Sequence, residues 1–325
     1  MKTTFTASAV LAASASALSV NSEFEQLFND WAAKHGRDYS TMAEYGNRLQ
    51  NWIKTHMEIQ KINSAPGQTV VLGHNKFSDW THQEYKAMLT FEPKDMTRNQ
   101  EPTILDASKN ADSIDWIEKG AVNEVQDQAA CGSCWAFSAI ASMEGQHFVQ
   151  SGELLKLSEQ QCVDCDSESY GCSGGWQDNC MWYVYDNGGI SLEKDYPYTA
   201  GTDTCFADWD GPVSVSTVHS VKSYDEEQLL AALNQGPVSV TVDADSAYFR
   251  SYESGVITAT DCGTKLDHAI TAVGYGTDEN GTDYYMVRNS WGKAWGDNGY
   301  LKIGRNGDGY GICGIQEISV WASTN

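Results

Sequence analysis

Nine cysteines limit what this chain can become, and all of them lie between Cys131 and Cys313. Thiols at this density favour disulfides when a protein meets an oxidising compartment. The N-terminus supplies a route to one. Lys2, the small-residue apolar stretch from Phe5 to Ala13 and the small-x-small set Ala15-Ser16-Ala17 read as a secretory signal peptide over residues 1–17. No apolar run approaches the ~18 residues that a membrane-spanning helix needs, so no span is expected.

Charge divides the chain at nearly the place where the cysteines begin. Residues 1–110 carry 11 basic and 12 acidic side chains, a net of −1, whereas residues 111–325 carry 10 and 32, a net of −22. Such an acidic body is repelled by phosphate backbones and anionic membrane surfaces, which argues against nucleic acid as a partner. The change falls in a segment of about 92–112 that holds Pro93 and Pro102 among polar residues and shows little periodicity, as a linker does. With 325 residues, 41% of them hydrophobic, the chain can build more than one packed core.

Ahead of the linker the pattern is helical. Phe24, Leu27, Phe28 and Trp31 recur at three and four residues, and Tyr45, Leu49, Trp52, Ile53, Ile59 and Ile62 continue the period to Ala65-Pro66-Gly67. Thr69 to Leu72 reads as a short strand. Beyond the linker, the residues after Cys134 suit a helix that buries Trp135, Ala139, Ile140, Met143 and Phe148 and stops at Gly152. Cys134 then sits at a helix N-terminus, where unpaired N–H groups and the helix dipole stabilise a thiolate.

Spacing alone leaves several chemistries open. Cys131/Cys134 and Cys162/Cys165 are both C-x-x-C pairs, which can hold zinc, act as a redox couple or simply form structural disulfides. A nucleophilic cysteine needs a base. Of His35, His56, His74, His82, His147, His219 and His268, the last stands out, because Ala269 to Val273 after it read as a buried strand. Asn289, in Arg288-Asn289-Ser290-Trp291-Gly292, offers a side-chain oxygen that can orient the ring.

With these strings in place the chain resembles the papain family of cysteine proteases. The resemblance rests on Gln128, Cys131-Gly132-Ser133-Cys134-Trp135, Gly171-Cys172-Ser173-Gly174-Gly175, Tyr196-Pro197-Tyr198, Asp267-His268-Ala269 and Asn289-Ser290-Trp291-Gly292. It extends upstream. Glu44, Arg48, Trp52, Ile59 and Asn63, then Gly73, Asn75, Phe77 and Asp79, are similar to the inhibitory propeptide of the cathepsin L-like branch, with Thr55 where Asn is usual. The resemblance implies an α+β, papain-like two-domain fold preceded by a helical propeptide. It implies a signal at 1–17, a propeptide at 18–110 (helical over about 23–90) and a peptidase at 111–325. The peptidase divides into a helical half of about 113–220 and a β-rich half of about 221–320, with the cleft between them.

The same resemblance implies roles. Cys134 is the nucleophile, in a thiolate–imidazolium pair with the base His268. Asn289 orients His268, Trp291 shields that bond and Gln128 donates to the oxyanion. Gly174 and Gly175 pair with substrate backbone, Trp176, Gln177, Thr241, Leu266, Ala269 and Ile318 line the main specificity pocket, and Asp267 and Trp291 also belong to the substrate-binding set. An apolar Ile318 there predicts a hydrophobic residue two positions before the cut bond. Disulfides map to Cys131–Cys172, Cys165–Cys205 and Cys262–Cys313. Cys162 and Cys180, not standard in the family, fall in helical stretches and are expected to form a fourth.

The sequon at Asn280 predicts a surface turn open to glycosylation. No cofactor or metal is implied. The partners expected are protein and peptide substrates and the chain's own propeptide, on a monomer. The location expected is the secretory route, ending in a lysosome, a digestive vacuole or outside the cell. A non-catalytic papain-like binding or structural protein is the alternative.

Overall fold

Aromatic side chains at helical spacing build the first unit of the chain. A computed structural model describes residues 22–94, 98, 101–207, 211–258, 262–305, 307 and 309–325; the signal expected at 1–17 lies outside them. Helix α1 (22–34) sets Phe28 and Trp31 against Trp52 of α2 (Met42–Asn63), and these rings are almost wholly buried. Thr41 caps α2 by accepting from the Glu44 N–H at 3.1 Å. The helix ends at Asn63, just before the turn at Ala65-Pro66-Gly67.

The chain then forms strand β1 (Val70–Leu72) and the short helix α3 (His82–Lys86), which opens with a Thr81–Glu84 capping box. Asn63 locks β1 to α2. Its Nδ2 donates to the Leu72 carbonyl at 2.8 Å, and the Leu72 N–H donates back to Oδ1 at 2.9 Å.

The remaining elements are β2 (Ile114–Asp115), α4 (Cys134–Ser151), α5 (Glu159–Cys165), α6 (Gln177–Asn187), β3 (Val215–Ser220), α7 (Glu226–Leu233), β4 (Val238–Val242), α8 (Ala247–Arg250), β5 (Tyr252–Ile257), β6 (His268–Thr277), β7 (Asp283–Arg288), β8 (Tyr300–Gly304) and β9 (Ser319–Thr324). One sheet runs β1-β5-β8-β7-β6-β4-β9-β3, and β2 pairs with β6. Thus β1, from ahead of the linker, extends the sheet antiparallel to β5, with Val70 opposite Gly255 and Leu72 opposite Tyr252. At Gly255 a Cβ would lie 2.2 Å from the Thr69 carbonyl oxygen, so only glycine admits this strand so closely.

Two cores flank α4. One lies on the sheet and takes Ile114, Trp116 and Ala121 with Val240, Tyr285 and Leu301. The other gathers Trp135, Ile140, Met143 and Met181 with Val215, Val218, Val320 and Ala322. The expected division near residue 220 is therefore not a spatial boundary. The segment around 114–121 belongs to the sheet half, and the last strand crosses to the helical half. Burial of α4 goes further than the five residues expected: every residue from Cys134 to His147 is buried, because the helix is packed from both sides, while Phe148 is half-buried.

Four disulfides tie the part after the linker: Cys131–Cys172, Cys162–Cys180, Cys165–Cys205 and Cys262–Cys313. Cys162–Cys180 joins α5 to α6. Cys134 is the free cysteine among the described residues.

Candidate active site

Three local structures converge. Cys134 is the first residue of α4, His268 is the first residue of β6, and Asn289 follows β7. All three are almost fully buried. His268 Nε2 lies 2.9 Å from Asn289 Oδ1, and Trp291 stacks on the imidazole with ring centroids 4.7 Å apart. The carboxamide and the indole fix the ring plane from two directions.

Gln128 is held more tightly than its motif reveals. Its Nε2 donates to the Cys131 carbonyl at 2.9 Å, and its Oε1 accepts from the Ser290 hydroxyl at 2.7 Å. Its backbone N–H donates to the Ser290 carbonyl at 2.8 Å, and its carbonyl accepts from the Tyr198 hydroxyl at 2.8 Å. The same Tyr198 oxygen lies 2.7 Å from the hydroxyl of Ser133, the residue that precedes α4. Ser290 and Tyr198 were visible only as letters inside motifs, because sequence does not say where a hydroxyl points.

The N-terminal segment covers this site. The Thr90 hydroxyl donates to the Gly132 carbonyl at 3.0 Å. A Cβ on Gly174 would lie 2.5 Å from the Thr90 carbonyl oxygen, so this glycine permits the chain to pass. A Cβ on Gly175 would lie 2.6 Å from the Trp135 ring and 2.7 Å from Ser169, so only glycine fits there as well. The Phe91 N–H donates to the Asp267 carbonyl at 3.1 Å, and its ring is buried with Cys134, Leu266 and Ala269, against Trp176 and Ile318. Thr241 is buried next to Ile318 and donates its hydroxyl to the Ile318 carbonyl at 3.1 Å. Gln177 is buried at the start of α6, and both its amide atoms lack a hydrogen-bond partner. Neither Thr90 nor Phe91 was singled out from sequence, because they fall at the seam between the helical pattern and the linker, where neither period marks them.

Upstream, the same segment is pinned by aromatics. Phe77 and Tyr85 meet Trp291 edge-on at 5.1 and 5.8 Å between centroids. Trp291 therefore carries His268 on one side and N-terminal aromatics on another.

Burial sets the protonation of the pair. It pushes the Cys134 thiol up to about 11, against hydrogen bonds from the Ala269 and Trp135 backbone, and it pulls His268 down to about 4, against the Asn289 contact. While the segment covers the site, burial thus works against charge on both groups of the expected ion pair. Asn280 lies in an exposed turn between β6 and β7, and its N–H donates to Asp278 at 2.9 Å. No helix among the described residues is long and apolar enough to cross a membrane.

A buried cysteine at a helix end, a buried histidine at a strand end and an N-terminal segment laid over the cysteine define the class. Residues 110–323 match the papain family cysteine protease, and residues 28–85 match the cathepsin propeptide inhibitor domain. The chain belongs to the papain family of cysteine proteases, with a propeptide inhibitor domain ahead of the peptidase. It is 42% identical to chymopapain of Carica papaya, over 91% of this chain and 86% of that one. It is 38% identical to fruit bromelain of Ananas comosus, over 91% and 85%. Among solved structures, a recombinant stem bromelain precursor superposes with a TM-score of 0.86 at 35% identity, over 93% of this chain and 99% of that one. Digestive procathepsin L2 from the larval midgut of Tenebrio molitor gives 0.85 at 35%, over 92% and 99%. The fold is papain-like, and its N-terminal segment is helical.

Proposed function

We propose that the chain is made as an inactive precursor whose 111–325 portion cuts internal peptide bonds by acyl transfer to Cys134. Once residues 18–110 leave, water reaches the pair and the penalty on charge falls. The thiol proton passes to His268, the thiolate attacks the substrate carbonyl, and the imidazolium returns the proton to the departing amine. Water, activated by the same imidazole, then hydrolyses the thioester. The Gln128 amide and the Cys134 N–H donate to the oxyanion; losing one such donor costs about 3–4 kcal/mol of transition-state stabilisation.

The observation that carries this reading is the seat of Phe91. A hydrophobic side chain of the chain itself fills the pocket of Leu266, Ala269 and Ile318 beside Cys134, as a substrate residue two positions before the cut bond would. The signal at 1–17, export to a lysosome, vacuole or the exterior, glycosylation at Asn280 and a monomeric state belong to the same proposal. The test is acid conversion of the purified chain, N-terminal sequencing of the product and assay beside Cys134→Ser. Active product from the wild type alone, with a library preference for aliphatic or aromatic residues at that position, is the expected result. Equal activity of Cys134→Ser would refute the mechanism, and a dominant Arg at that position would refute the pocket assignment.

A further inference from the structure

Past Phe91 the propeptide leaves the cleft over a second surface. The Trp176 indole N–H donates to the Glu92 carbonyl at 2.7 Å, and Lys94 Nζ lies 3.6 Å from the centroid of that ring. Further along, the Arg98 guanidinium lies 4.3 Å from the centroid of Trp182 and is ion-paired with Asp186. Arg98 and Trp182 line a groove of about 540 Å³ together with Asp166, Glu168, Asn179 and Asp186.

This groove is built for a cation. Aromatic faces attract guanidinium and ammonium groups, and carboxylates stand at its wall. One carboxylate oxygen of Asp166 is buried and takes no hydrogen bond, although the residue is only 7% exposed. A buried anion short of partners favours an incoming donor. Along the propeptide, the order is Thr90 at Gly132 and Gly174, Phe91 in the pocket, Lys94 over Trp176 and Arg98 over Trp182. The path therefore runs from the reacting sulfur, past the pocket, and away on the side that would hold substrate residues before the cut bond.

We propose that, after the propeptide leaves, the Trp182–Asp186 groove is an exosite for an arginine or lysine of a protein substrate, roughly five to nine residues before the scissile bond. It rests on the Cys134 reading for the cut itself and extends specificity well beyond the pocket. In the precursor Arg98 stands at the wall of the groove, over Trp182 and paired with Asp186, with the side chain that a substrate later supplies. The distance is set by counting from Phe91 to Lys94 and to Arg98 along the sequence.

The test uses enzyme processed from the folded full chain and titrated at its active site with an epoxysuccinyl thiol inhibitor. Three quenched peptides share the same residues around the cut. One is short, one carries an upstream extension with Arg five to nine residues before the cut, and one carries Gln in the same places. At low salt the Arg peptide should show a kcat/KM about 5–20 times that of the Gln peptide, chiefly through KM, and added salt should erase most of the ratio. Asp186→Lys should bring the ratio to about one; Asp186 is half exposed, so the fold tolerates the change. Equal rates on the two long peptides while the short one is cut would overturn the exosite. A ratio that persists in Asp186→Lys would overturn its location. Failure to cut even the short peptide would instead indict the Cys134 reading.

Discussion

At the scale of single residues, the covered dyad makes a sharp prediction. Burial pushes the thiol up to about 11 and the imidazole down to about 4, which disfavours the Cys134 thiolate between pH 5 and 8 in the precursor. Iodoacetamide should therefore modify Cys134 in the unprocessed chain at least ~100-fold more slowly than in the processed enzyme, and only toward alkaline pH. An acidic alkylation midpoint in the precursor would show the ion pair already formed. A second prediction concerns Ser290. Ser290→Ala leaves Gln128 Oε1 without its hydroxyl donor, so kcat should fall ~10-fold with KM little changed, while Gln128→Ala should cost ~10²–10³. Steady-state kinetics on one short peptide decides both. Cys134, His268, Asn289 and Gln128 were legible because their chemistry is written in local strings. Ser290, Tyr198 and Phe91 were not, because their roles depend on direction and on a partner far along the chain.

At the scale of elements, the join between α2, β1 and β5 holds the inhibitor in place. Asn63→Ala removes both side-chain bonds to Leu72 and leaves that backbone poorly satisfied, worth about 1–2 kcal/mol. Conversion of the full chain at fixed pH should then quicken ~10-fold, as followed by gel. The α5–α6 disulfide yields another test. Cys162 and Cys180 close a loop of 18 residues, so replacing both with Ala should lower unfolding stability by about 2–3 kcal/mol, read by denaturant titration. Helices and their ends were legible from period and breakers, as α2 and its stop at Ala65-Pro66-Gly67 illustrate. The pairing of β1 with β5 was not, because the partners lie about 180 residues apart and nothing local marks them. The all-round burial of α4 was hidden for a similar reason: Ser138, Ser142, Glu144 and Gln146 look like an outer face until the second core is placed against them.

For the whole molecule, acid acts oppositely on the two parts. In the propeptide, His56 Nδ1 and His74 Nε2 are 2.9 Å apart, and His74 stacks on Trp52 with centroids 4.3 Å apart. Burial, helped by the neighbouring His56 and His35, lowers His74 to about 4, and burial also lowers His56 and His35. Between pH 6.5 and 4 the unfolded segment takes up protons that the folded one refuses, so its stability falls as pH falls, by about 2 kcal/mol for His74 after allowing for its partial exposure. Asp79, raised by burial, opposes this in part. In the peptidase, burial raises Glu159, which shares Lys156 with Glu144, and raises Asp267 to about 7. A raised carboxylate gives stability that is full at low pH and lost as pH rises through the raised value. Hydrogen exchange on Cys134→Ser at pH 7 and 4.5 should show residues 22–94 losing protection and residues 111–325 keeping or gaining it. Loss of protection in both parts together would contradict this. The −1 and −22 charge partition marked the border between the parts in the sequence, whereas the histidine stack that makes one of them acid-sensitive needed the fold.

The pairing of β1 with β5 has a further cost once processing is done. Departure of β1 leaves the backbone of residues 252–255 as a bare sheet margin on every enzyme molecule. Mutual repulsion among strongly anionic copies keeps such margins apart, and Glu253 sets a carboxylate on this one. The acid that loosens the inhibitor also weakens that repulsion. Freed enzyme should therefore stay dispersed only while dilute, and light scattering of concentrated processed enzyme should rise as pH falls.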